Sequence, residues 1–100
     1  MQIDGRNLYF IFLAGASRII SDQEDINKLN VFPVPDADTG TNLASTVRII
    51  SDHLVFSRSF YITANSISEA ALIGARGNSG VIFAQFIHGF VTETGHRKSL

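Results

Sequence analysis

The sequence predicts an all-α protein, an antiparallel helical bundle. Apolar residues recur at spacings of three and four through most of the chain, and no segment shows convincing strand alternation. Glycines, prolines and short polar clusters punctuate the periodic runs at intervals that suit five helices.

The first helix is expected over residues 4–20, where Leu8, Ile11, Phe12, Gly15 and Ile19 fall on one face. Its run over residues 8–16 ends in Ala14-Gly15-Ala16, as a signal-peptide cleavage site would. Asp4 offsets Arg6, however, and the apolar period continues through Ile19 and Ile20, so the run reads as helix. Ser21 followed by Glu24 has capping-box spacing and predicts a short second helix ending near Leu29. Val31-Phe32-Pro33-Val34-Pro35 is expected to be extended, because each proline lacks an amide donor and disfavours helix in the residue before it.

A third helix should start at Thr39 or Thr41, with a threonine as N-cap, carry Leu43, Val47, Ile50 and Leu54 inward, and end near His53. Beyond the polar joint Ser57-Arg58-Ser59, residues 62–75 predict a fourth helix with the small-residue stripe Ile67, Ala70, Ala71 and Gly74. Gly77-Asn78-Ser79-Gly80 reads as a break, and residues 81–92 as a fifth helix whose Val81, Ile82, Phe83, Phe86, Ile87, Phe90 and Val91 leave almost no polar face. Such a helix calls for burial, so a second copy or further polypeptide is expected to cover it. The segment from Glu93 onward is polar and expected to fray.

Composition narrows the function. With 45% apolar and 17% charged residues the chain is globular in character, and a net charge of -1 offers no basic footprint for nucleic acid. There is no cysteine, and His53, His88 and His96 lack zinc-site spacing. His53 reads as a surface residue and His88 as a packed or capping imidazole. No run approaches the roughly 18 apolar residues of a membrane span, and a cytoplasmic location is the default expectation.

Two segments carry chemistry. Pro35-Asp36-Ala37-Asp38-Thr39-Gly40-Thr41-Asn42 sets two carboxylates two residues apart at a helix start. Hard carboxylate oxygens suit Mg²⁺, and the unpaired amides of a helix N-terminus suit phosphate. The bland alternative makes Asp36 and Asp38 turn and capping residues. Calcium is disfavoured: counting from Asp36, Thr41 stands where an EF-hand loop needs glycine and Val47 where it needs Glu. The second segment, Gly74-Ala75-Arg76-Gly77-Asn78-Ser79-Gly80, lets a ligand approach the backbone, although an ordinary helix connection would use the same residues. Arg76 either pairs with phosphate or complements a helix C-terminus. Neither the Walker nor the dinucleotide glycine pattern is present.

Together, the run from Leu29 to Asn42 and the run Gly74-Ala75-Arg76-Gly77-Asn78-Ser79-Gly80-Val81-Ile82 resemble the DhaL/FakA N-terminal domain family. FakA is the ATP-binding subunit of bacterial fatty acid kinase, and DhaL is the nucleotide subunit of dihydroxyacetone (glycerone) kinase. The resemblance implies the first half of a DhaL-like eight-helix barrel, with residues 1–100 a partial nucleotide-binding domain lacking its C-terminal half. It implies ATP or ADP bound through Mg²⁺, with two ions expected. Asp36 and Asp38 would be the metal ligands, and Thr39, Thr41, Asn42, Asn78, Ser79 and Gly80 the nucleotide-binding residues. No general base is visible. The implied reaction is phosphoryl transfer to a fatty acyl carboxylate held by a DegV-type fatty-acid-binding partner, the isolated chain being inactive. A glycerone kinase subunit and a non-catalytic relative are the alternatives. Ala37 stands where the family usually has glycine, and Leu43 where it usually has methionine.

Overall fold

A computed structural model describes residues 2–29 and 38–94. The helices are α1 (Gly5–Ser21), α2 (Gln23–Leu29), α3 (Thr39–His53), α4 (Phe60–Gly74) and α5 (Gly77–Thr94). The all-α expectation holds. The run 31–35, for which an extended conformation is expected, and the positions Asp36 and Ala37 lie outside the described residues, as does the segment beyond Thr94.

Helix α3 is central and packs against each of the other four. Its Val47 and Ile50 are fully buried, with Ala44 between the turns. The predicted α4 stripe is realised: Ile67, Ala70, Ala71 and Gly74 are all buried. A Cβ at Gly74 would overlap the Ile49 side chain, so small size there permits close contact between α3 and α4. Contact register gives the directions. Phe60 meets Phe90 and Ser68 meets His88, so α4 and α5 run antiparallel. The Val55 carbonyl accepts from the Thr63 hydroxyl, and Gly74 lies on Ile49, so α3 and α4 are antiparallel too. Two reversals make α3 and α5 parallel neighbours, which brings their N-termini to the same end.

Several boundaries differ from the sequence expectation. Helix α4 begins at Phe60, two residues early, because the Ser59 hydroxyl accepts the Ile62 N–H at 3.3 Å. Helix α5 begins at Gly77, so Gly77-Asn78-Ser79-Gly80 is its first turn and the break falls at Ala75-Arg76. Ser21 ends α1 and turns its hydroxyl to the Arg18 carbonyl at 3.2 Å, so the capping box expected at Ser21 and Glu24 does not form. A capping box forms instead at the start of α1. There the Asp4 carboxylate accepts the Asn7 N–H at 3.0 Å, and the Asn7 side chain accepts the Asp4 N–H at 3.1 Å. No threonine caps α3, whose N-cap is Asp38.

The amide bond from Asn7, and then the side-chain bond from Arg6, hold the Asp4 carboxyl below its ordinary pKa. A lowered folded pKa means that the carboxylate supports folding above the ordinary carboxylate range and loses that effect as pH falls through the lowered value. Asp4→Ala is therefore expected to lower the unfolding temperature at neutral pH, by a margin that narrows on acidification. A margin constant across the titration would count against this cap.

Coverage is uneven. Of the α1 stripe, Leu8 and Phe12 pack on the core, while Ile11 and Gly15 are exposed along an apolar groove that Phe83 and Val47 also line. The described helices do not bury α5 all round, which leaves open the face that a second copy or further polypeptide is expected to cover. Ala84 and Val91 are buried, whereas Ile82 is 69% and Phe86 67% exposed. One side of α5 faces α3 and α4, and its other side has no described helix over it. Among the described residues, no helix is long and apolar enough to cross a membrane.

Candidate functional site

The site forms where α3 and α5 begin. The Ser79 hydroxyl donates to the Thr39 carbonyl at 3.2 Å, joining residues forty positions apart. Asn42 sits against Gly77, where φ is +67° and a Cβ would overlap the Asn42 amide. Glycine is required here on both counts: an L side chain is strained at this φ, and the space belongs to Asn42. Gly80 is buried against Thr46, and its N–H donates to the Arg76 carbonyl at 3.1 Å. That bond is the first turn of α5, so the amides of Gly77, Asn78 and Ser79 precede the intrahelical ladder and face the junction end. What Gly80 offers is close approach of α5 to α3, since its own amide is engaged.

Two residues that the sequence reading passed over build this junction. Thr46 is fully buried; its hydroxyl accepts the Arg76 N–H at 3.1 Å and donates to the Asn42 carbonyl at 2.8 Å. It fastens the α4–α5 turn to the first turns of α3, and a buried hydroxyl with both roles filled carries no desolvation penalty. Asn27, on α2, accepts the Thr41 N–H at 3.1 Å and donates to the Thr41 hydroxyl at 2.9 Å. An amide side chain from another helix thus performs the N-capping expected of a threonine. A run of small residues around a lone buried-face threonine was a usable signal for Thr46. Asn27 had none, because its partner is fourteen residues away.

Thr39, Thr41, Asn42, Asn78, Ser79 and Gly80 are therefore brought to one end of the bundle, with Thr41 and Asn78 exposed and Thr39, Asn42 and Ser79 half-buried. Asp38 is exposed at the head of α3, and its carboxylate makes no capping bond to that helix. Asp36 lies outside the described residues, and among the described residues no three His, Asp or Glu side chains gather as a metal cluster. The donor chemistry nevertheless suits a hard cation: a carboxylate at Asp38 that makes no capping bond to α3 stands beside the hydroxyl-bearing first turn of that helix. Arg76 is exposed at the N-cap of α5, on the same end. His53 and His88 stand apart from this end. His53 is exposed with Nδ1 at 2.8 Å from the Ile49 carbonyl, and His88 Nδ1 lies 3.4 Å from the buried Ser68 hydroxyl in the middle of α4, a packing contact between helices.

Comparison with known proteins follows the same two segments. Residues 33–100 match the DAK2 domain. The chain is 37% identical over 100 residues to protein YloV of Bacillus subtilis, a match covering 98% of this chain and 18% of YloV. It is 41% identical over 83 residues to an uncharacterized protein of Mycoplasma pneumoniae, covering 79% of this chain and 15% of that protein. A Staphylococcus haemolyticus protein is 36% identical over 91 residues, covering 89% of this chain and 16% of its own length. The chain thus spans less than a fifth of the length of each of these relatives. A helical bundle whose two glycine-bearing helix starts meet at one end, matched over two-thirds of its length, belongs to the DAK2 domain family of dihydroxyacetone kinase DhaL-like proteins.

Proposed function

We propose that the junction of α3 and α5 binds the phosphates of Mg-ATP as part of a kinase. The family is one of dihydroxyacetone kinase-like nucleotide-binding subunits, which supplies the class. The observation that carries the reading is the meeting of two parallel helix N-termini, clamped by the Ser79 to Thr39 bond, beside an Asp38 carboxylate that does not cap its helix. Two helix starts aimed at one volume give unpaired amides and favourable dipole ends for anionic oxygens. Asp36 and Asp38 would hold the metal, two ions being expected. Thr39, Thr41, Asn42, Asn78 and Ser79 would hold the phosphates, with Gly80 permitting the approach. Magnesium at such a site neutralises phosphate charge.

The proposed acceptor is a fatty acyl carboxylate presented by a DegV-type partner. Its oxygen would form a bond to the γ-phosphorus as the bond from that phosphorus to the β–γ bridging oxygen breaks, releasing ADP and an acyl phosphate. Support for this acceptor is the resemblance of the 29–42 run to FakA; a glycerone acceptor is the alternative. The exposed face of α5 is the proposed surface for a second copy or for the rest of the domain, and the isolated chain is expected to bind nucleotide without turning it over.

Titration calorimetry with Mg-ATP tests the reading. Wild type should bind, and Asp36→Ala/Asp38→Ala should bind at least tenfold more weakly, the least expected for removing two charged ligands. Equal binding by both proteins, or binding by neither, would reduce the chain to a non-catalytic relative.

A further inference from the structure

We infer that Asn27 is a positioning residue that keeps the Thr41 hydroxyl a hydrogen-bond donor at the exposed head of α3, the end of the bundle where α5 also begins; the inference rests on the nucleotide reading above. Its basis is the double contact between the two residues. The Thr41 N–H can only donate, so the Asn27 atom 3.1 Å from it is the carbonyl oxygen. That fixes the amide's other end: Nδ2, 2.9 Å from Thr41 Oγ1, is a donor and the hydroxyl oxygen its acceptor. A hydroxyl that accepts a hydrogen bond on one side directs its own hydrogen elsewhere.

Hydroxyls further along the helices have an acceptor on their own helix that Thr41, in the first turn of α3, lacks. Thr46, Ser51, Thr92 and Thr94 each give their hydrogen to a carbonyl four residues back on their own helix. Among the described residues, no acceptor takes the Thr41 hydrogen, and Thr41 is exposed at the junction end. A donor held there beside helix-start amides suits an anionic oxygen, because charge-assisted bonds are the strong ones. Gly40 makes the arrangement possible: a Cβ there would stand 3.0 Å from Asn27 Oδ1 and overlap the Gln23 carbonyl.

Asn27→Asp separates this role from a structural one. The aspartate can still accept the Thr41 N–H, but its second oxygen replaces a donor with an acceptor and draws the Thr41 hydrogen away from a ligand at the head of α3. An added carboxylate at a helix N-terminus also favours the fold, so the unfolding midpoint should stay level or rise. Mg-ATP affinity, measured by calorimetry on the full chain, should fall about tenfold, as for loss of one hydrogen bond to a charged group. The new charge could instead repel the nucleotide directly, and a mutant cycle distinguishes the two. In a Thr41→Val background, which has no hydroxyl to turn, Asn27→Asp should change affinity by less than about twofold, the scatter expected of independent sites. In Thr41→Ser, which keeps the hydroxyl, the full loss should return. Persistence of the tenfold loss in Thr41→Val, or equal affinity of wild type and Asn27→Asp, would overturn the inference while leaving the nucleotide reading intact. Absence of Mg-ATP binding by the wild type would instead remove that reading, and this one with it.

Discussion

Gly40→Ala is expected to destabilise the protein by about 3 kcal/mol, at the upper end of what overpacking a close contact costs, whereas Gly15→Ala, the same chemical change on α1, is expected to stabilise it. Both glycines are helical, and in a helix alanine is ordinarily favoured over glycine by about 1 kcal/mol. Surroundings reverse the sign. Gly15 has nothing within 4 Å of where a Cβ would lie. At Gly40 the added carbon would overlap the Gln23 carbonyl oxygen, with the carbonyl carbon 2.8 Å away. Those are backbone atoms at the start of α2, so relief requires moving a helix rather than rotating a side chain. The displacement would also pull Asn27 from Thr41, so loss of Mg-ATP affinity should accompany loss of stability. Urea unfolding of both variants is the measurement. Equal stability of Gly40→Ala and Gly15→Ala would show that α2 does not pack on α3 as described.

Helix existence was legible because it is written in local periodicity; the errors lie where long-range contacts decide. Gly77-Asn78-Ser79-Gly80 looks like a break because two glycines and two small polar residues have poor helix propensity. In the fold the turn is helical since Thr46, thirty residues earlier, holds the Arg76 N–H and leaves Gly80 room to approach. The capping box at Asp4 and Asn7 was missed for a related reason: asparagine at the third position does the work that the usual pattern assigns to Glu or Gln. Both candidate segments were visible as motifs, yet their meeting was not. It follows from the two reversals through α4 that make α3 and α5 parallel, and no property of either motif encodes that. Asn27 was invisible for the same cause, being one polar residue on a short helix whose role appears only beside Thr41.

The apolar residues of α4 and α5 divide by environment in a way that mutation can read. Phe60 is 1% exposed, enclosed by Ala64, Val91, Ile3, Leu8 and Ile87, with its ring centroid 6.2 Å from that of Phe90. Truncation to alanine removes those contacts and leaves a cavity, so Phe60→Ala should cost roughly 3–5 kcal/mol. Against a total stability of about 5–15 kcal/mol for a domain, that change removes a large share of the whole. Phe86 is 67% exposed on the outer side of α5, and Phe86→Ala in a monomer should fall within about 0.5 kcal/mol of wild type. The pair tests more than packing. Should Phe86→Ala prove nearly as costly as Phe60→Ala, the outer face of α5 must be covered in solution. Its cost would then depend on protein concentration, because association stabilises the folded state by mass action. A cost independent of concentration, with Phe60→Ala alone strongly destabilising the chain, would instead show that α3 and α4 supply all the burial α5 requires, leaving its outer phenylalanine free for contacts beyond this segment.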